Sequence, residues 1–163
     1  MLGENPAGMN CLPGSAMSPF TPPRDYAGDI DPAEAWDMLK SDPKAQLVDV
    51  RTMAEWNFVG LPDLSELGRK THCIEWQGFP SMAPNPDFVG ETAAALGEGG
   101  AGSPVLFLCR SGARSRAAAI AMTRAGFEKA FNIAGGFEGD LDGERHRGGN
   151  NGWKAQGLPW KQS

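Results

Sequence analysis

Histidine and cysteine are scarce in this 163-residue sequence, with two of the first and three of the second. Cys11, Cys73 and Cys109 stand far apart with no repeated spacing, which fits neither a disulfide framework nor a zinc cluster. His72 and His146 are too few to furnish a metal centre, so neither a metal nor a cofactor is expected. Long apolar runs are missing, and no basic stretch followed by an apolar one opens the chain. Neither a membrane span nor a secretory leader is readable, and the expected location is cytoplasmic. Positive charge is in the minority: 15 Lys and Arg against 20 Asp and Glu leave a formal net charge of −5. A general nucleic-acid or anionic-membrane surface is therefore not expected, and any anion site has to be local.

Glycine and proline, by contrast, are plentiful, at 22 and 13 residues, so much of the chain is loop. With 40% hydrophobic residues the length supports one buried core. Residues 1–24 are rich in proline and lack apolar periodicity, which reads as a flexible arm. The ordered domain is expected over residues 25–163.

Within it, Asp31 is suited to cap a helix and Pro32 to its first position, and Ala35, Trp36, Met38 and Leu39 continue an amphipathic pattern that ends near Ser41–Pro43. Gln46–Val50 is a short apolar run, expected as a buried strand that delivers Asp49 and Arg51 at its end. Thr71–Trp76 is a weaker strand pattern and Asp87–Leu96 a helical one. Val105–Leu108 is the clearest buried strand and runs into Cys109. Ser115–Ala125 is Ala-rich and helical, with Ala118, Met122 and Ala125 on one face and Gly126 as its stop. Lys129–Ile133 is the last strand pattern. Alternation of this kind predicts an α/β sandwich with a mostly parallel central sheet flanked by helices.

The chemistry concentrates in Cys109-Arg110-Ser111-Gly112-Ala113-Arg114-Ser115, between an apolar strand and a helix. Ligands bind outside the carboxyl ends of strands in open α/β sheets. A tight loop there turns backbone N–H groups toward its first residue at a helix N-terminus, and Gly112 permits the curl. Helix N-termini and nearby arginines favour the thiolate of a cysteine, and Arg110, Arg114 and Arg116 all lie close in sequence. Cys73 reads as a buried hydrophobe, Cys11 as exposed but without an activating neighbour. Trp56, Trp76, Trp153 and Trp160 read as core or rim aromatics.

This loop resembles the active-site loop of single-domain rhodanese-like proteins. Leu47-Val48-Asp49-Val50-Arg51 with Glu55-Trp56, then Gly126-Phe127, Asn132-Ile133, Gly135-Gly136, Gly152-Trp153-Lys154 and Gly157-Leu158-Pro159 are similar to further signatures of that family, in order, over residues 29–161. The resemblance implies a rhodanese-like sandwich and a thiosulfate sulfurtransferase in which Cys109 takes up sulfur as a persulfide. The loop Arg110 to Ser115 (Arg110, Ser111, Gly112, Ala113, Arg114, Ser115) would bind the substrate, with Arg110 and Arg114 on the donor's oxygens. Asp49, Arg51 and Glu55 are read as a charge cluster supporting the site, because sulfur transfer needs little proton shuttling. The partners implied are a small sulfur donor, thiosulfate or a persulfide, and a thiol, cyanide or protein acceptor.

Residues 57–69 and the long loop at 138–152 depart from the family's pattern. Two other readings remain at this point. A sulfur-carrying or partner-docking module would use the same fold without turnover. A cysteine phosphatase or arsenate reductase would need its arginine five residues further on than the cysteine's neighbour, and Arg114 follows after only four.

Overall fold

The computed structural model describes residues 25–162; the arm expected over residues 1–24, and Cys11 with it, lies outside that range. The chain forms β1 (Gly28–Ile30), α1 (Pro32–Ser41), β2 (Gln46–Asp49), α2 (Met53–Phe58), β3 (Leu61–Pro62), β4 (His72–Cys73), β5 (Gln77–Gly78), β6 (Ala83–Pro84), α3 (Phe88–Leu96), β7 (Val105–Leu108), α4 (Ala113–Arg124), β8 (Ala130–Ile133) and β9 (Trp160–Lys161).

The first helix starts where the sequence demands it. Asp31 accepts from the Ala33 amide at 3.0 Å and Glu34 reaches back to the Asp31 amide at 2.9 Å, so two otherwise orphaned donors are satisfied at once. Pro32 follows at the position where its missing N–H costs nothing. Ala35, Trp36 and Leu39 form the buried face.

Five strands make the central sheet in the order β1-β8-β7-β2-β4, and every pairing in it is parallel. Strand residues alternate between two cores: Leu47, Leu106 and Leu108 pack with Leu39, Phe137 and Trp153, while Val48, Val105 and Phe107 pack with Phe88, Ala118 and Met122. Burial on both faces explains why β2 and β7 read as continuous apolar runs. The sheet is thereby covered on both sides, as the α/β sandwich expectation required.

Three local expectations change. The strand pattern at 71–76 forms a ladder only at His72–Cys73; the amides of Ile74 and Trp76 still reach Asp49 and Val50, but past the end of β2 there is no strand to pair with. Cys73 is exposed instead of buried, because β4 is the sheet's edge. Ala125 caps the end of α4 in the open, and Ala119 takes its place on the buried face.

Candidate active site

β7 is flanked by β8 and β2, and its carboxyl end empties into the loop 109–112, which becomes the first turn of α4. Gly112 sits there with φ of +121°, a conformation that side-chain-bearing residues rarely adopt. The curl brings the Gly112 amide to 3.1 Å from Cys109 Sγ. The sulfur thus faces a donor at the start of a helix, where the backbone also favours negative charge. Cys109 itself is only 1% exposed.

The loop's carbonyl groups are turned away from the sulfur and held there. The Phe137 amide donates to the Cys109 carbonyl at 2.8 Å, and the amides of Glu138 and Gly139 both donate to that of Arg110, at 3.0 and 3.1 Å. This contact is so close that a Cβ at Gly136 would collide with the Cys109 carbonyl oxygen and the Arg110 backbone.

A second polar group reaches the sulfur from the core side. Ser115 is fully buried; its Oγ lies 3.2 Å from Sγ and 2.6 Å from Asn132 Oδ1. Asn132 Nδ2 in turn donates to Asp29 Oδ1 at 3.0 Å, and Tyr26 donates to the same oxygen at 2.8 Å. A carboxylate only accepts, so Asn132 must turn its amide N–H to Asp29 and its oxygen to Ser115. Ser115 owns one proton, and the shorter contact draws it to Asn132. Its lone pairs are what remain for Cys109. From sequence, Asn132 was named only as part of a family-like stretch and given no role, and Asp29 and Tyr26 were not singled out. The available signal was an asparagine inside a buried apolar strand, where an unpaired side chain would be costly.

Charged residues near the site divide into two pairs and not one cluster. Asp49 and Arg51 are both fully buried and paired at 2.6 Å, with a second contact from Arg51 Nε at 2.9 Å. Arg51 also donates to the Gly60 carbonyl at 2.7 Å and lies over the Phe137 ring at 4.3 Å. It therefore fastens the strand end to two loops. The other pair joins α2 to α4: Arg114 grips Glu55 with both terminal nitrogens, at 2.8 and 3.0 Å. Burial pushes the Glu55 carboxyl up, but Arg114 together with the Thr52 amide and hydroxyl outweighs it and holds the group below its ordinary 4.5.

Arg114, read from sequence as a donor-binding residue, is thus engaged by a carboxylate. Arg110, next to Cys109 in the chain, is exposed. Arg116 points elsewhere, its guanidinium over the Tyr26 ring. Ser111 is half-buried, and Ala113 is exposed as the first residue of α4. A cavity of about 890 Å³ meets the site at Arg110 and Arg114 and is bounded further by Glu55, Phe58 and Leu141.

Cys73 presents a different environment. Loss of solvent around its sulfur, and then the nearby Asp49, push its thiol up to about 12. His72 shares a hydrogen bond of 2.8 Å with Gln46 and is a structural group at the sheet edge. Of the tryptophans, Trp153 is fully buried against Trp36, and Trp160 is exposed under the Lys154 ammonium. No helix among the described residues is long and apolar enough to cross a membrane.

A cysteine loop at the end of a central parallel strand, running into a helix, defines an α/β protein of rhodanese-like fold. The polysulfide-sulfur transferase homodimer of Wolinella succinogenes shares that fold, with a TM-score of 0.54 at 20% identity over 85% of this chain and 80% of its own. The chain belongs to the family described as STR4 middle domain, which matches residues 28–163. The rhodanese resemblance thus holds at the level of fold, and the family that matches is the STR4 middle domain. Rv0390 from M. tuberculosis, known from a crystal structure, is 51% identical, covers 85% of this chain and 99% of its own, and superposes with a TM-score of 0.78. The uncharacterized protein RC0915 of Rickettsia conorii is 37% identical over 129 residues, covering 78% of this chain and 92% of its own.

Proposed function

We propose that residues 25–163 act as a sulfurtransferase domain in which Cys109 accepts a sulfane sulfur and hands it on. The observation that carries this is the Gly112 amide at 3.1 Å from Cys109 Sγ, at the start of α4. It supports a sulfur that bears negative charge at the moment of attack. The thiolate attacks the outer sulfur of a donor such as thiosulfate. A bond forms between Sγ and that sulfur, the bond to the central sulfur breaks, and sulfite leaves with the electron pair. Cys109 is left as a persulfide, and a thiol, cyanide or protein acceptor removes the outer sulfur in a second step. No proton needs to be shuttled, which accords with the buried pairing of Asp49 and Arg51.

Arg110, exposed beside the loop, takes the donor's oxygens. Arg114 acts through Glu55, fixing α2 against the loop. A phosphatase reading would need that guanidinium free to face an oxyanion, and its engagement by Glu55 favours sulfur over phosphate. The reading includes a reducing compartment, the cytoplasm, where Cys109 can cycle between thiol and persulfide. The Wolinella protein's name extends the donor class to polysulfide.

The test is intact mass after incubation with thiosulfate. One added sulfur is expected, located by peptide mapping on Cys109 and absent from Cys109→Ser. Full uptake by that variant, or no uptake by the unaltered protein, would refute the proposal.

A further inference from the structure

Thiosulfate is a small oxyanion, yet the cavity that meets the site measures about 890 Å³, near the upper end of the range found for sites that enclose whole organic ligands. Its walls come from four parts of the chain: the loop 109–112 with the start of α4, and, facing them, α2, the hairpin that carries β5 and β6, and the loop that begins at 138. Of these, α2, the hairpin and the 138 loop supply the apolar side chains. Each of these three contributes one that would otherwise be inside a core. Phe58 is 79% exposed, Phe79 65% and Leu141 49%. Single exposed hydrophobics are ordinary, but three from different elements converging on one concavity are not. Among these walls stand Arg110 and Arg145. Neither guanidinium has a hydrogen-bond or ion-pair partner among the described residues. Glu138 and the Arg114-paired Glu55 stand in the same lining, so four arginines face two carboxylates and the cavity stays net positive. A net positive cavity with apolar walls suits an occupant with an anionic group on an apolar body.

We infer that the sulfur acceptor at this site is an organic thiol carrying both an apolar chain and a carboxylate or similar anion, or that the donor is the persulfide of such a thiol, and that the cavity of Phe58, Phe79, Leu141, Arg110 and Arg145 selects it. This rests on the sulfurtransferase reading and narrows its substrate class. In the loading direction the Cys109 thiolate attacks the outer sulfur of the organic persulfide. The Sγ–sulfur bond forms, the donor's own sulfur–sulfur bond breaks, and the organic thiolate leaves with the electron pair. Oxidation states balance without any co-reactant. In the unloading direction the same thiolate attacks the Cys109 persulfide.

A concave site of this size fits a small molecule better than a protein face, which needs on the order of 1,000 Å² of complementary surface to be specific. The anion belongs near Arg110 and Arg145, and the chain lies along Phe58, Phe79 and Leu141.

The experiment compares loading of Cys109, read by intact mass over time, from N-acetylcysteine persulfide, N-octanoylcysteine persulfide, the amide of the latter, and thiosulfate. The first two share a reactive end and a carboxylate and differ only in apolar length. The octanoyl donor should load faster at limiting concentration by about tenfold or more, the gain from burying about two methylene groups. Its amide should lose most of that advantage through the missing charge. In Phe79→Ser and Leu141→Ser the octanoyl-to-acetyl ratio should fall toward one, and in Arg145→Gln the acid-to-amide ratio should fall. Ratios are read so that a general loss of activity cancels. Equal loading from the acetyl and octanoyl donors, with thiosulfate loading intact, would overturn this inference and leave sulfur transfer standing. Failure of all four donors would overturn both. A protein persulfide that loads Cys109 faster than every small donor, with chain length making no difference, would assign the cavity to a protein and also overturn it.

Discussion

Among the described residues, Arg114→Ala removes the only partner of Glu55 Oε2 and one of three for Oε1, because Thr52 still donates its amide and hydroxyl to Oε1 at 3.2 and 3.1 Å. The two side chains are 17% and 19% exposed. Exposed ion pairs contribute about 0–1 kcal/mol, and truncating one member of a fully buried pair costs about 3–5 kcal/mol. A mostly buried pair whose orphan keeps two donors falls between, at about 2 kcal/mol. For a chain of this length that lowers Tm by about 5–8 °C. Calorimetry or urea unfolding at pH 7 on the wild type, Arg114→Ala, Glu55→Gln and the double variant gives the coupling, expected at about 1–2 kcal/mol.

Protonation adds a second check. The Glu55 carboxyl is held below its ordinary 4.5, so the pair's contribution is complete above that pH and is lost as pH falls through the lower folded-state value. The penalty of Arg114→Ala should therefore shrink below pH 4.5. Sulfur loading should fall by one common factor for thiosulfate and for a neutral organic persulfide, since Arg114 acts on the position of the loop. A coupling near zero, or a loss confined to thiosulfate, would show that Arg114 leaves Glu55 and serves the donor directly.

Arg110→Ala should behave in the opposite way, lowering thiosulfate loading by roughly ten- to a hundredfold, mostly through apparent donor affinity; a neutral persulfide losing as much would refute oxyanion binding. Alkylation at pH 7 should modify Cys109 ahead of Cys73, whose thiol is pushed up by loss of solvent around its sulfur and by the nearby Asp49; peptide mapping that finds Cys73 first would contradict this. Asn132→Leu removes the acceptor that claims the Ser115 proton and so frees the hydroxyl to donate to Cys109. Alkylation of Cys109 at pH 6 should then become faster, and a slower rate would mean that Asn132 aids the sulfur.

What could be read from sequence was what neighbouring residues decide among themselves. Asp31 and Pro32 announce α1, and strands buried on both faces announce themselves as apolar runs at Leu47–Val48 and Val105–Leu108. The order of strand, Cys109, Gly112 and helix locates the nucleophile loop. β1 escaped notice because Gly28, Asp29 and Ile30 carry no strand pattern, and their place is set by parallel pairing with β8. The Asn132–Asp29 contact spans 103 positions and the Arg114–Glu55 pair 59. Such partners are chosen by strand order and helix placement, so a local reading could name Arg114 and Glu55 but not join them. Cys73 was misplaced for the same reason, since nothing nearby in sequence says that β4 has only one neighbour.

The loop that follows β8 divides its labour at Gly139. Up to that residue it is bolted to the backbone of Cys109 and Arg110 and has no room even for a methyl group at Gly136. From Leu141 onward it lines the cavity, which Glu138 also reaches, and makes no hydrogen bond to the Cys109 or Arg110 backbone among the described residues. On the proposed function, reactivity and selectivity are therefore written in neighbouring stretches of one segment, with a fixed joint between them. Replacing the far stretch with another sequence of similar length should retarget the protein to a different thiol while the sulfur chemistry stays where it is, which makes 140–150 the natural place for related proteins to diverge and for an engineer to begin.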